Sequence, residues 1–344
     1  MINEHKEASD FQTKKVSSVY RPGPFWEDAL KNIAKDFFQK GIENFRNSIL
    51  NLKFFVPTYG SPGNGFTKKQ IDSIIEKSVD FTQKQRTYIE NSFNGLNHAS
   101  ADYGTFFSSN FKDDRLNLLS FSESSVGNPV EHFTFDKRNY SRSSLNYLLG
   151  LTFLQQSVPG FIPSKVLEIG GGFGTLGEIL YKCKIPGLQY IDLDLPPMFI
   201  IASQYSKCVF SETEVYEFND PLERNLAIDT LSKLNFLPNW SIEKLEGKID
   251  LFVNFISFQE MEPEIVKNYA YHIQRLNPKF LLLRNLREGK QKAKANKLGV
   301  KNPIKAKDYL KFFDRYKVRE LNTFPFGFKT VDGFNSELMI MEKK

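Results

Sequence analysis

The stretch that decides the fold runs from Val166 to Gly177 and reads VLEIGGGFGTLG. Its apolar start is typical of a strand that ends inside a sheet. The glycines permit a sharp turn with bare backbone N–H groups against a ligand, and the next helix begins with free N–H groups that face the same crevice. The sequence therefore predicts a strand, a ligand-binding turn and a helix. The candidate contact residues in the turn are Gly170, Gly171, Gly172, Phe173 and Gly174.

The glycines also match a dinucleotide fingerprint, since positions 172, 174 and 177 fit the pattern GxGxxG. An NAD-dependent oxidoreductase is therefore one alternative, and a turn that binds no ligand is another. Glu168 favours a different ligand. A carboxylate two residues before the first glycine would face the incoming molecule, where it disfavours a pyrophosphate and suits a cationic sulfonium and amino group.

The second strand of the unit ends in an acidic pair. Residues 190–197 read YIDLDLPP, so Asp192 and Asp194 point the same way from an extended chain. A carboxylate at this strand end can accept both hydrogen bonds from a ribose diol. Asp194 is the first candidate for that contact, with Asp192 and Leu195 beside it. The alternative role for Asp194 is a cap on the helix that follows.

The rest of the chain alternates strands and helices from about residue 138 onward, which predicts a parallel sheet covered on both faces. Two extended segments, 318–321 and 336–341, end the chain with no helix between them and predict an antiparallel edge. Residues 1–137 instead show helical spacing, with one helix expected over 27–50. We therefore expect a Rossmann-like α/β domain over 138–344, preceded by a helical region that covers the acceptor side or forms a subunit contact.

The pattern of glutamate and three spaced glycines over 168–174 resembles motif I of the class I S-adenosylmethionine-dependent methyltransferases. The Asp-Leu-Pro triplet beginning at Asp194 resembles small-molecule O-methyltransferases. The pair Asn239-Trp240 and the stretch SFQEM over 257–261 resemble a bacterial family of sugar O-methyltransferases, and this likeness extends over about residues 20–340. The resemblance implies S-adenosylmethionine as cofactor, a saccharide or nucleotide-sugar acceptor, and Trp240 and Asn254 as further cofactor contacts.

Methyl transfer to a sugar hydroxyl needs a group that takes up the proton. Glu260 follows the fourth parallel strand of the predicted domain and is the best-placed carboxylate, although it could instead cap the helix that begins near Pro263. His132 lies in a loop before the predicted domain and is the second catalytic candidate. His272 falls on an apolar helix face and is expected to be packed. No spacing of ligand residues predicts a metal site.

The composition limits the remaining classes of protein. The net charge is +6, but the positive charge is concentrated over 284–320, with a lysine-rich segment over 290–307. This distribution favours a loop that faces an anionic small molecule or solvent over a nucleic-acid surface. No apolar run reaches the length of a membrane span, and two cysteines are too few for a disulfide framework. We therefore expect a cytoplasmic enzyme that binds neither nucleic acid nor membrane and could form a homo-oligomer. A protein that binds the cofactor or a nucleic acid without catalysis is the non-enzymatic alternative.

Overall fold

The structure is a computed structural model that describes residues 2–48, 68–77, 80–218, 225–293, 299–330 and 333–344. The α-helices within these residues are α1 (Ile2–Lys15), α2 (Pro24–Lys40), α3 (Lys68–Glu76), α4 (Gln83–Phe93), α5 (Leu96–Asn110), α6 (Arg142–Ser157), α7 (Thr175–Lys182), α8 (Met198–Val209), α9 (Pro263–Leu276) and α10 (Ala306–Phe312). The strands are β1 (Phe133–Phe135), β2 (Arg138–Tyr140), β3 (Lys165–Ile169), β4 (Gln189–Asp194), β5 (Leu226–Ala227), β6 (Leu234–Pro238), β7 (Leu245–Glu246), β8 (Leu251–Phe255), β9 (Phe280–Leu286), β10 (Tyr316–Asn322), β11 (Phe328–Lys329) and β12 (Asn335–Lys343). None of the described helices is both long enough and apolar enough to cross a bilayer.

One large sheet organises the molecule, with the strand order β10-β12-β9-β8-β3-β4-β6 and with β11 paired to β12. Strands β9, β8, β3, β4 and β6 are parallel, whereas β12 is antiparallel to both of its neighbours. The predicted Rossmann-like sheet with an antiparallel C-terminal strand is confirmed. The two extended segments predicted at the end of the chain are β10 and β12, which form an antiparallel pair at one edge of the sheet, with β12 between β9 and β10.

Helices cover both faces of this sheet because its strands are apolar on both sides. Neighbouring residues of a strand point to opposite faces, and accordingly Val166 and Leu167 of β3 belong to two different apolar cores. The first core is completed by residues of α6, α7 and α8, and the second by residues of α9 and α10. The carboxyl ends of the parallel strands are left open between the two helical layers.

The region before the sheet is mainly helical, but its details differ from the prediction. The helix expected over 27–50 is α2, which ends earlier because Gly41 follows it with a φ of +72° and reverses the chain. The predicted domain boundary at 137/138 falls in the turn between β1 and β2. Buried residues of this region share clusters with residues of the sheet domain. The division at 137/138 therefore stays a prediction.

Candidate active site

A cavity opens at the carboxyl ends of β3, β4, β6 and β8, where a parallel sheet binds its ligands. Residues from the glycine turn, from the ends of β4 and β8, from α6 and from residues 19–26 form its wall. The residues used in the argument below are Arg21, Trp26, Ser143, Asn146, Tyr147, Gly170, Gly171, Gly172, Asp194, Leu195, Met198, Asn239, Ile256, Ser257, Glu260 and Tyr269.

The backbone amides of the glycine turn are already hydrogen-bonded within the protein. The N–H of Gly171 donates to a carboxylate oxygen of Asp192 at 2.9 Å, and the N–H of Gly172 donates to Asp194 at 3.1 Å. The N–H of Gly170 donates to the carbonyl of Leu193 at 3.0 Å. The expectation of bare amides that face a ligand is therefore wrong for these three glycines. The carboxylate of Asp194, which accepts the N–H of Gly172, lies on the cavity wall instead.

Glycine is required in this turn for two different reasons. A Cβ on Gly171 would lie 2.7 Å from the carboxyl carbon of Asp192, so a side chain there would displace the hydrogen-bonded carboxylate. Gly170 has a φ of +78°, and its Cβ would lie 2.6 Å from that of Ser257. Both glycines allow the turn to pack directly on the neighbouring strand ends.

Three carboxyl groups surround the turn, but only one of them reaches the cavity. Asp192 is fully buried beneath Gly171, and burial followed by the charges of Asp194 and Glu168 raises its pKa well above its ordinary value. Asp194 is half-buried on the cavity wall, with its second oxygen accepting the N–H of Leu195 at 2.7 Å. Asp192 supports the turn from below, and its predicted contact with the cofactor stays a prediction.

Glu168 also lies behind the cavity wall. Its carboxylate accepts hydrogen bonds from the hydroxyls of Tyr147 at 2.7 Å and of Tyr190 at 2.5 Å. Burial raises the pKa of Glu168 to about 7, against the opposing effect of the two tyrosine hydroxyls. The expectation that this carboxylate faces the ligand is corrected. Glu168 reaches the cavity through Tyr147, whose side chain forms part of the wall.

The end of β8 forms the opposite wall and contains an unusual backbone conformation. Ile256 has a φ of +80°, a region that β-branched residues rarely occupy and that concentrates at functional sites. The conformation begins the 3₁₀ turn Ser257–Glu260, which brings Ser257 and Glu260 onto the cavity wall. Asn254 is fully buried and donates to the carbonyl of Ile169 at 3.0 Å. Asn254 therefore joins β8 to β3, and its predicted role as a cofactor contact stays a prediction.

Glu260 forms an ion pair with Lys290, the first lysine of the lysine-rich segment. Gly299 and Val300 of the same segment contribute to the cavity wall. The backbone N–H of Lys301 donates to Glu262 at 2.7 Å, which fixes this part of the segment against the start of α9. The described residues Gly299 and Val300 therefore place part of this segment at one side of the cavity. Lys294 and Lys297 lie outside the described residues.

His132 lies away from the cavity, in a buried cluster of charges. Its Nε2 is 3.1 Å from a guanidinium nitrogen of Arg46 and 3.7 Å from a carboxylate oxygen of Glu123. Arg46 also binds Glu131, with Nε 2.7 Å from the carboxylate. The ring of His132 takes part in this cluster and not in the cavity wall, and its catalytic role stays a prediction.

Three further predicted contacts also lie outside the cavity wall. Phe173 is buried, with the guanidinium of Arg46 4.8 Å from its ring centroid. Gly174 starts α7, and a Cβ there would lie 2.8 Å from the ring of Phe236. Trp240 is buried and lies 6.0 Å from Phe11 between ring centroids. These residues shape the turn and the core, and their predicted contacts with the cofactor stay predictions.

For several residues of the cavity wall, the sequence gives little or no indication of a place in the site. Ser143, Asn146 and Tyr147 lie on the first turns of α6, which begins with a capping box at Ser141. The capping box predicts a helix start but not its place beside the glycine turn. Arg21 precedes and Trp26 follows the stiff Pro-Gly-Pro segment 22–24. The sequence indicates that this segment is rigid but not that it lies at the cavity. Within the described residues, no group of three His, Cys, Asp or Glu side chains is placed to hold a metal ion.

The sheet has the Rossmann-like arrangement expected from the sequence, with the antiparallel strand β12 between β9 and β10. No protein-family model and no curated protein matches the chain. Magnesium protoporphyrin IX methyltransferase from Synechocystis, with bound SAH, is 13% identical over 71% of this chain and 99% of its own, with a TM-score of 0.39. A SAM-dependent methyltransferase from Aquifex aeolicus is 12% identical over 56% and 89%, with a TM-score of 0.36. The fold assignment rests on the topology of the sheet itself.

Proposed function

We propose that this protein is an S-adenosylmethionine-dependent methyltransferase. The observation that carries the proposal is the occupation of the Gly171 and Gly172 amides by the carboxylates of Asp192 and Asp194. A dinucleotide fold uses such amides to bind a pyrophosphate. Here the amides are taken and a pyrophosphate would meet a carboxylate, whereas a ligand with an ammonium or sulfonium charge would be attracted.

The residues of the cavity fit this cofactor. Asp194 ends β4, and its oxygens have remaining lone pairs that can accept the two hydroxyl hydrogens of a ribose. Tyr147, whose hydroxyl donates to Glu168, forms part of the cavity wall together with the glycine turn. The cationic amino acid part of the cofactor would lie there. When bound, the cofactor would supply an electrophilic methyl group on a sulfonium.

The acceptor is proposed to be a hydroxyl of a saccharide or a nucleotide-sugar. Polar side chains of α6 and of the turn after β8 line the remaining wall, namely Ser143, Asn146, Ser257 and Glu260. The acceptor oxygen would form a bond to the methyl carbon as the carbon–sulfur bond breaks, and its proton would pass to the carboxylate of Glu260. The choice of a sugar rests on the family resemblance of the SFQEM stretch.

Cofactor identity is tested first on the purified protein. We expect S-adenosylhomocysteine to co-purify or to bind saturably in calorimetry, and NADH not to bind. Release of S-adenosylhomocysteine from S-adenosylmethionine is then measured over a set of nucleotide-sugars and free glycans. Tight NADH binding without S-adenosylhomocysteine binding would support the oxidoreductase alternative. Cofactor binding without turnover on any acceptor would support a non-catalytic protein, and salt-dependent RNA or DNA binding would support a nucleic-acid partner.

The variant Asp194→Ala is expected to lose about 100-fold or more in affinity for S-adenosylhomocysteine, because two hydrogen bonds to a charged acceptor are removed. Calorimetry measures the affinity, and thermal unfolding checks the fold. Asp229→Ala serves as control, because Asp229 is exposed and pairs with Lys165 at the opposite end of β3 from the glycine turn. An Asp194→Ala protein that binds as tightly as wild type would exclude the ribose contact.

The affinity for S-adenosylhomocysteine is expected to fall as the pH drops below 7. Burial raises the pKa of Asp194 to about 7, so the carboxylate needed for the ribose is lost by protonation below that pH. One linked proton gives at most about a tenfold loss of affinity for each pH unit. Calorimetry between pH 5.5 and 8.5 measures the slope. Asp194→Asn does not titrate and should flatten it, whereas an unchanged slope in that variant would contradict the assignment.

A further inference from the structure

A short N-terminal segment forms part of the cavity wall. We define residues 17–26 as the N-terminal strap; Val19, Arg21, Pro22, Gly23 and Trp26 of this strap line the cavity. They come from a part of the chain more than 100 residues before the glycine turn. The strap therefore adds a wall that the sheet and its own loops do not supply.

The strap is fixed in place by buried hydrogen bonds. Tyr20 is buried, and its hydroxyl accepts a hydrogen bond from Asn268 of α9 at 2.9 Å. The carbonyl of Tyr20 accepts from Gln12 at 2.8 Å and from Asn239 at 2.9 Å. Asn239 follows β6 and itself lines the cavity. The strap is thus attached to the carboxyl edge of the sheet at the strand next to β4.

Trp26 lies on the side of the cavity that adjoins Asp194. Its side chain packs in one apolar cluster with Leu195 and Met198, and all three residues line the cavity. Leu195 directly follows Asp194 in the chain. The surface next to the proposed ribose acceptor is therefore aromatic and aliphatic, in contrast to the polar wall formed by Ser143, Ser257 and Glu260.

We propose that the N-terminal strap is the base-binding part of the cofactor site, with Trp26 packing on the purine. This inference rests on the proposed function, because it takes the ribose to be held by Asp194. The base is bonded to that ribose and must lie next to it, and a flat purine face matches an apolar aromatic wall. The alternative occupant is a saccharide ring of the acceptor. Trp26 belongs to the same apolar cluster as Leu195, which follows β4, and this favours the base, since Glu260 lies after β8.

The chain contains two tryptophans, Trp26 and Trp240, which permits a direct optical test. In Trp240→Phe the only tryptophan is Trp26, and S-adenosylhomocysteine should change its fluorescence with the same midpoint as the calorimetric titration. Homocysteine, which lacks the base, should leave the emission unchanged. In Trp26→Phe, where Trp240 remains, S-adenosylhomocysteine should bind without a comparable change. If Trp240→Phe does not fold, the difference between wild type and Trp26→Phe gives the same signal.

Affinity supplies the second readout. Trp26→Ala is expected to weaken S-adenosylhomocysteine binding by about tenfold or more, as for loss of one base–aromatic stack, and Trp26→Phe should keep most of the affinity. Phe38→Ala is the control, because Phe38 lies on α2 in the same cluster but outside the cavity wall. It should leave the affinity near that of wild type.

The outcomes separate this inference from the function on which it rests. If wild type fails to bind S-adenosylhomocysteine, the proposed function and the inference both fall. If wild type binds it but Trp26→Ala binds equally well and the Trp26 emission is silent, only the inference is overturned. A Trp26→Ala protein with unchanged cofactor affinity and a raised KM for the acceptor would assign Trp26 to the saccharide instead, which also overturns it.

Discussion

Replacing Arg46 by methionine is expected to lower the free energy of unfolding by about 3–5 kcal/mol, because it leaves buried carboxylates without their cation. The side chains of Arg46, Glu123 and Glu131 are all fully buried. Burial alone would raise the pKa of Glu123, but Arg46 and His132 hold it well below its ordinary value. Urea denaturation at neutral pH measures the loss.

Two further variants distinguish the contribution of the charge of Arg46 to stability from that of its packing. Arg46→Lys keeps a cation but cannot donate to both carboxylates as the guanidinium does, so an intermediate loss is expected. Adding Glu123→Gln to Arg46→Met removes a buried charge that has lost its partner and should recover part of the stability. A double variant that is less stable than Arg46→Met would show that the packing of Arg46, not its charge, is what matters.

The difference in the free energy of unfolding between wild type and Arg46→Met should also become smaller as the pH falls toward 4. In wild type the lowered pKa of Glu123 gives a stabilising effect that is complete above the ordinary glutamate pKa and is lost only as the pH falls below it. In the variant the same carboxyl has no cation, so protonation relieves the cost of burying its charge. Both changes reduce the difference between the two proteins. A deficit that is constant with pH would contradict the ionic explanation.

The Arg46 cluster also connects the helical N-terminal region to the ligand turn. Arg46 follows α2, and its guanidinium lies over the ring of Phe173, which sits between two glycines of the turn. Glu178, one turn into α7, accepts the hydroxyl of Tyr205 at 2.6 Å, and Tyr205 lies 3.4 Å from Arg46. The N-terminal region therefore contacts the glycine turn in two ways. The Arg46 cluster packs on Phe173 outside the cavity, and the N-terminal strap forms part of the cavity wall.

The sheet domain could be predicted because its signals are local. The apolar strand before Gly170 and the glycines after it specify a strand and a turn within a few residues, and β4 ends in its acidic pair in the same way. Residues that directly follow parallel strands lie at the carboxyl ends of the sheet, independently of contacts distant in sequence. For this reason Asp194, Leu195 and Glu260 lie on the cavity wall as expected.

The orientation of individual side chains could not be predicted, because it depends on contacts distant in sequence. Glu168 turns away from the cavity because Tyr147 and Tyr190 donate to its carboxylate. His132 faces Arg46, which lies 86 residues earlier in the chain. Nothing in the local sequence of either residue identifies these partners. The same holds for β12, whose strand pattern indicates an extended segment but not its insertion between β9 and β10.

Replacing Glu260 by glutamine is expected to lower turnover by about 100- to 10,000-fold, the usual contribution of a general base, while cofactor affinity stays close to that of wild type. The carboxylate lies on the cavity wall at the end of the turn that begins at Ile256. It is separated from the proposed cofactor contact, Asp194, which lies at the end of β4. Turnover is measured as release of S-adenosylhomocysteine with an identified acceptor.

The ion pair between Glu260 and Lys290 allows an experiment that distinguishes two roles of Glu260, as the general base or as a carboxylate that only holds Lys290. Lys290→Met removes the same ion pair but keeps Glu260, so it should cost far less turnover than Glu260→Gln if the carboxylate accepts the proton. Glu264→Gln, an exposed carboxylate on the first turn of α9, controls for the change of charge near the site. If Glu260→Gln and Lys290→Met lose equal turnover and equal stability, the ion pair only holds the lysine-rich segment against the cavity. The proton would then be taken up by another group.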